Sequence, residues 1–242
     1  MRKADVIIPT FKPGDKLEKL LRRLLEQSVP VDRVIIMNTE EKYWDAERFE
    51  SLFEGKDTKL TVCHIRQPEF DHGRTRHEGI LKSDADVCIC MTHDCVPYDR
   101  NLVKELLEAL DASERVAAAY ARQLPAADCG VIERYTRDFN YPAVSRLKGK
   151  EDEDELGIKT YFCSNVCAMY KRELYLQLGG FVKKTILNNW SRAVLLNFLD
   201  TDLYERQGKA ISNFEYALPE PQSDLAQEIT KGPYNFDFVA IR

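Results

Sequence analysis

From residue 5 to residue 121 the chain alternates short apolar runs with segments of roughly ten residues that carry an apolar helical face. Val6 to Phe11, expected to stop at Pro9 so that Thr10-Phe11 follows the strand, Val31 to Met37, Leu60 to Ile65, Asp86 to Met91 and Val116 to Ala121 read as strands. Leu17 to Gln27 holds leucines at 17, 20, 21, 24 and 25, a helical stripe with Asp15 as its N-cap. Residues 45–54 and Asp71 to Lys82 read as further helices. Asp99 to Leu110 places Leu102, Val103, Leu106, Leu107 and Leu110 on one face. Such alternation implies βαβ units, right-handed crossovers and a mostly parallel sheet. A sheet of that kind binds ligands at the carboxyl ends of its strands.

The charge balance narrows the partners. A net charge of −5 and a pI near 5.6 give no general electrostatic case for nucleic acid. No signal-like apolar stretch precedes Val6, and no run approaches the ~20 apolar residues of a spanning helix. The expectation is a cytoplasmic protein, with peripheral contact at the inner membrane face left open. Seven cysteines, none in C-x-x-C spacing, read as reduced and mostly core. A zinc set drawn from His64, His93, Cys90 and Cys95 lacks paired ligands at short spacing. The first βα turn, Pro9 to Gly14, has neither G-x-G-x-x-G nor a P-loop.

Beyond residue 121 the pattern loosens. Asp128 to Asn140 is a candidate helix, and Ser145 to Gly157, with its Lys-Gly-Lys-Glu-Asp-Glu-Asp-Glu run, is expected to be a solvated loop. Tyr161 to Tyr170 can form a strand near its end, and Glu173 to Leu178 a short helix closed by Gly179-Gly180. Leu187 to Leu199 is an amphipathic helix by spacing. Residues 216–242 are expected to be a loosely structured tail.

Four polar clusters fall where a parallel sheet gathers its loops. They are Thr10-Phe11, Asn38-Thr39-Glu40, Arg74-Thr-Arg76-His77 and Thr92-His93-Asp94. A carboxylate facing arginines and a helix start is a setting for a divalent cation with a diphosphate.

The ordered motifs Val-Ile-Ile-Pro9-Thr10-Phe11, Phe70-Asp-His-Gly-Arg-Thr-Arg76, Met-Thr92-His-Asp94-Cys-Val-Pro97, Ser164-Asn165 and Leu178-Gly-Gly180-Phe181 resemble inverting family 2 glycosyltransferases. They are most similar to the bacterial rhamnosyltransferase branch. The resemblance spans roughly residues 4 to 187 and implies a GT-A fold, a Rossmann-like mostly parallel α/β sheet flanked by helices with a smaller acceptor-side subregion. It implies a nucleotide-sugar-binding half over 1–121 and an acceptor-side half over 122–215. It also implies transfer of a sugar, rhamnose by the branch, from a dTDP- or UDP-sugar to a glycan or lipid-linked acceptor. By the same resemblance Pro9, Thr10, Phe11, Asn38, Glu40, Arg76, His77 and Thr92 line the donor pocket, His77 standing where the family has asparagine. Asp94 is the surviving acid of an Asp-x-Asp motif and would hold Mg²⁺ or Mn²⁺. Ser164, Asn165, Gly180 and Phe181 fall on the acceptor side.

An inverting transfer needs a carboxylate to take the acceptor's proton. The family's Glu-Asp pair shortly after Gly-Gly-Phe is absent, since Thr185-Ile-Leu-Asn188 leads to Asn189-Trp190. The next acids are Asp200 and Asp202. Motif register favours Asp200, whereas a helix continued from 187 puts Asp202 on the stripe of Leu195 and Phe198. The departure leaves room for a relative that binds a nucleotide sugar without turning it over. A different doubly wound nucleotide or phosphoester enzyme is the remaining alternative.

Overall fold

A computed structural model describes residues 2–126, 129–181 and, as backbone, 237–241. The first half follows the alternation, except that the first strand does not stop at Pro9 but runs on to Phe11, because it stays paired to its neighbour at Met37, Asn38 and Thr39. Strands β1 (Ala4–Phe11), β2 (Arg33–Thr39), β3 (Lys59–Ile65) and β4 (Val87–Met91) lie parallel in the order β3-β2-β1-β4. Helices α1 (Asp15–Leu25), α2 (Ala46–Glu50) and α3 (His72–Leu81) connect them. Helix α4 (Leu102–Asp111) then leads to β5 (Val116–Ala121).

Residues alternate between the two faces of each strand, which divides the core in two. Val6, Ile8, Val34, Ile36, Val87 and Ile89 pack with the leucines of α1 and with Val103 and Leu106 of α4. Ile7, Ile35, Met37, Cys88 and Cys90 pack on the other face with Ile80 of α3 and a group of tyrosines. The two cysteines are therefore core, as their spacing suggests. Burial pushes the Cys88 thiol up to about 11. Helix α3 lies so close to β1 that a Cβ at Gly79 would stand 2.5 Å from Ile7.

The second half completes the same sheet in a way the periodicity does not foretell. Helix α5 (Val131–Asn140) is followed by β6 (Arg146–Lys148), α6 (Glu153–Leu156), β7 (Cys167–Lys171) and α7 (Arg172–Gln177). Strand β7 inserts antiparallel between β4 and β5, so these consecutive strands are not neighbours. Strand β8 (Asp237–Ile241) lies between β5 and β6, giving the order β3-β2-β1-β4-β7-β5-β8-β6. Part of the segment expected to be a loose tail thus forms a strand inside the sheet. Six strands run one way, while β6 and β7 oppose them.

The charged connection is also more ordered than its composition implies. Arg146 binds Asp152 at 3.0 Å and Glu155 at 2.7 Å. Lys148 is 5% exposed, and its Nζ donates to Tyr120 Oη, Lys159 O and Phe162 O at 3.1, 2.9 and 2.8 Å. Three acceptors use all three ammonium protons. Among the described residues no helix is long and apolar enough to cross a membrane. The amphipathic helix expected over Leu187 to Leu199 lies outside the described residues.

Candidate active site

The carboxyl ends of β1, β2 and β4 meet at one edge of the sheet. Pro9 and Thr10 pair with Met37 and Asn38, and Asn38 with His64. The ladder between β1 and β4 ends at Ile7, so Pro9, lacking an N–H, stands beyond it. Thr10 Oγ1 donates to Asn38 Oδ1 at 3.0 Å. The Asn38 amide then donates to Glu40 O at 3.1 Å and meets His64 Nδ1 at 3.0 Å. Asn38 is fully buried. Its side chain braces the strand ends from within.

Glu40 has a left-handed φ of 66°, and its carboxylate accepts from Gln67 N at 2.7 Å, tying the end of β2 to that of β3. Phe11 is 40% exposed at the rim. Its ring meets Tyr43 edge-on at 5.5 Å, with Lys12 Nζ 5.2 Å from both ring centres. Neither Lys12 nor Tyr43 carries a motif signal, because only the fold brings them beside Phe11. A rim of two rings and a cation suits a flat, negatively charged ligand.

Asp71 caps α3 by accepting from Arg74 N at 2.7 Å. One turn in, Arg76 is 5% exposed, yet Nη1 bonds only His72 O at 2.9 Å and Nε has no partner. The ionisable groups acting on it are Cys90 and Tyr170, and burial depresses its pKa. This cation beneath the end of β4 has no carboxylate salt-bridge partner among the described residues. Such a group is costly to bury alone. Asn165 carries a second orphan donor: its Oδ1 accepts from Tyr170 Oη at 2.6 Å, while Nδ2 is unpaired. Tyr170 thus lies between two buried donors that lack acceptors.

Past β4, Thr92 N donates to Val166 O at 3.1 Å, which seats Thr92 against the Ser164-Asn165 turn. Ser164 is held by Tyr141 Oη at 2.8 Å and Gln123 Nε2 at 3.0 Å. Gln123 and Tyr141 are positioning residues that no motif marks. Asp94 is exposed in the turn after β4. Among the described residues no three His, Cys, Asp or Glu side chains gather as a metal cage. Cys90 lies in the core and His64 at the end of β3, so the zinc set does not assemble. A lone exposed carboxylate instead fits a hard cation that takes its other ligands from phosphate oxygens and water, as Mg²⁺ does.

His77 and the Gly-Gly-Phe turn come together. Tyr175 Oη lies 3.0 Å from His77 Nδ1 and accepts from Phe181 N at 3.0 Å. Phe181 is buried against Tyr170 and Tyr175. Gly180 and Phe181 thus close the core behind α3. Asp200 and Asp202 lie outside the described residues.

Residues 5–179 match the model of glycosyl transferase family 2. The chain belongs to that family. It is 34% identical over 187 residues to the O-antigen chain rhamnosyltransferase RfbN of Salmonella typhimurium, covering 76% of this chain and 57% of RfbN. It is 30% identical over 184 residues to the O-antigen chain rhamnosyltransferase WbaN of Salmonella anatum, covering 75% and 56%. This family 2 chain therefore spans a little over half the length of these relatives. In fold it is similar to the mannosyltransferase PcManGT of Pyrobaculum calidifontis, solved with GDP-Man and Mn²⁺. That likeness has a TM-score of 0.58 at 16% identity, over 83% of this chain and 52% of the other. TarS 1-349 of S. aureus gives 0.55 at 14% identity, over 99% and 58%. The fold is GT-A.

Proposed function

We propose that the chain transfers a sugar, rhamnose by analogy with its named relatives, from a nucleoside-diphosphate donor to a glycan or lipid-linked acceptor with inversion at the anomeric carbon. The observation that carries this reading is Arg76, a buried guanidinium with an orphan Nε beneath the strand that leads to Asp94. A diphosphate would supply the acceptors it lacks. Phe11 and Tyr43 offer rings to the base at the rim, and Thr10 is fixed by Asn38. The donor pocket is built from the 1–121 half and the acceptor side from 122–215.

Asp94 would hold Mg²⁺ or Mn²⁺, which when bound draws charge from the diphosphate leaving group. A carboxylate, Asp200 or Asp202, takes the acceptor hydroxyl's proton as its oxygen attacks the anomeric carbon. The bond to the donor phosphate oxygen breaks, and the nucleoside diphosphate leaves with that electron pair. Arg76 stabilises the charge developing there. A cytoplasmic setting, in contact with the inner membrane face where the acceptor is lipid-linked, suits a nucleotide-sugar donor. The missing acid between Thr185 and Asn189 favours one second reading, a binder of nucleotide sugar without turnover.

Titration calorimetry of dTDP and UDP with and without Mn²⁺ tests the donor site. Mn²⁺ should tighten binding of one nucleotide at least tenfold, and Asp94→Ala should abolish that gain. Absence of binding by both nucleotides, or an unchanged Mn²⁺ effect in Asp94→Ala, sinks the assignment. Transfer lost in Asp200→Asn or Asp202→Asn identifies the base. Affinity without turnover in the unaltered chain establishes the second reading.

A further inference from the structure

A cavity of about 530 Å³ opens at the other end of the same sheet edge. Its walls include Tyr120, Phe139 and Phe162, and its polar groups include Asn140, Ser145 and Lys159. The volume falls within the ~300–1,000 Å³ of ligand-sized pockets, and aromatic walls with a few placed polar groups are their usual lining. Tyr120 and Phe162 pack edge-to-face at 5.7 Å over the buried Lys148, which fixes both.

The cavity continues onto an unusual helix. No residue of α5 is buried. It is tied down by Arg137, whose guanidinium donates to Gln123, and by Arg122 facing Asp138 at 3.9 Å. Its apolar residues face outward instead. Tyr135 is 70% exposed and Phe139 56%, their rings stacked at 6.2 Å with 16° between planes. Val144 at the cavity wall is 76% exposed. A connected apolar surface of this kind marks a binding surface.

Its place in the fold names the occupant. Phe162 stands two residues before Ser164, and Tyr120 three before Gln123, which bonds Ser164. Strand β5 is separated from β4 only by β7, so its end lies about 10 Å from that of β4. Ser164 and Asn165 are buried there, so a ligand running along this edge from the cavity meets the half-buried Thr92 at the end of β4. It must present flat C–H faces to rings and hydroxyls to Asn140, Ser145 and Lys159. Pyranose rings do both.

We infer that the cavity between α5, β6 and the Phe162 segment, with the Tyr135–Phe139 platform, binds the preceding sugars of an oligosaccharide acceptor whose growing end lies toward Thr92 at the end of β4. The inference rests on the reading of the chain as a sugar-transferring enzyme. Its test does not depend on turnover. The unaltered 242-residue chain, Phe139→Ala and Val144→Glu are applied to a printed array of bacterial surface oligosaccharides. Calorimetry with dTDP and UDP and light-scattering mass are run alongside. Both side chains are more than half exposed, so both variants should fold.

The unaltered chain should bind at least one hexose- or deoxyhexose-containing fragment. Each variant should lose tenfold or more in affinity, with nucleotide affinity unchanged. No bound fragment, or equal binding by all three proteins, overturns the acceptor site while leaving the donor site standing. Loss of nucleotide binding in the unaltered chain with fragment binding intact overturns the donor reading instead. A dimer that Val144→Glu dissociates, with fragment binding unaffected, would assign the face to self-association and also overturn the inference.

Discussion

Arg76 separates stability from function more sharply than any other side chain at the sheet edge. It is nearly inaccessible, and it has one backbone acceptor and no counter-ion among the described residues. Replacing a poorly compensated buried charge by an apolar residue of similar volume is often neutral or stabilising. Arg76→Met should therefore keep its free energy of unfolding in urea within about 1 kcal/mol of the parent, or raise it. Nucleotide affinity should fall roughly ten- to a hundredfold, the worth of charge-assisted bonds. Equal loss of both would make Arg76 a structural residue. Lys148 gives the opposite case, since all its protons are used. Burial lowers its amine from 10.5 to about 8. The unfolded chain holds that proton up to its higher pKa, so the folded state gains stability as pH rises from about 8 to 10.5. Below pH 8 both states are protonated and the penalty is complete. Lys148→Met lacks this gain and removes the donor to Tyr120 Oη and Phe162 O, while Lys159 O keeps the Phe162 N–H. Its deficit relative to the parent should widen by up to about 3 kcal/mol between pH 7.5 and 10. A deficit constant across that range would mean the amine is not depressed.

At the scale of elements, the first four strands and their helices are legible because one pattern decides each of them. A period-2 or period-3.6 stripe fixes what is buried and hence what forms. Partner choice is another matter. Nothing in Cys167 to Lys171 says that it will split β4 from β5, because strand neighbours are set by the whole sheet. The site divides similarly. Thr10, Arg76 and Asp94 stand at strand or helix ends that periodicity locates, whereas Tyr43, Gln123 and Tyr175 become neighbours only through the fold. The Gly-Gly-Phe turn shows how one backbone position enforces such a meeting. Gly180 has φ +74°, and a Cβ there would lie 2.4 Å from His77 Nδ1 and 2.9 Å from Tyr175 Oη. Both the left-handed backbone and the contact oppose a side chain. Gly180→Ala should cost about 2–4 kcal/mol in urea unfolding. A loss under about 1 kcal/mol would mean that the turn and His77 move apart freely.

For the whole molecule, the two halves are joined by a single sheet, and its closing order makes a distant segment decide the acceptor side. Strand β6 pairs with β8 alone among the described strands, and β8 lies against β5 across the full length of that strand. Removing residues 237–242 would leave β6 without a partner and give β5 an unpaired edge. Lys148 would then hold its three acceptors from a strand no longer anchored in the sheet, and the aromatic cavity above it would lose one wall. The donor end, strands β3-β2-β1-β4, is separated from β8 by β7 and β5. The truncated chain should melt at least about 5 °C lower, on the scale of ~2–4 °C per kcal/mol for a chain of this size. Amide exchange should accelerate in β5 and β6 while β1 and β2 stay protected. Nucleotide affinity should hold within about twofold, because Arg76 and Asp94 belong to the unaffected end. Uniform loss of protection from β3 to β6 would show instead that the sheet unfolds as one unit and that its two ends cannot be varied independently.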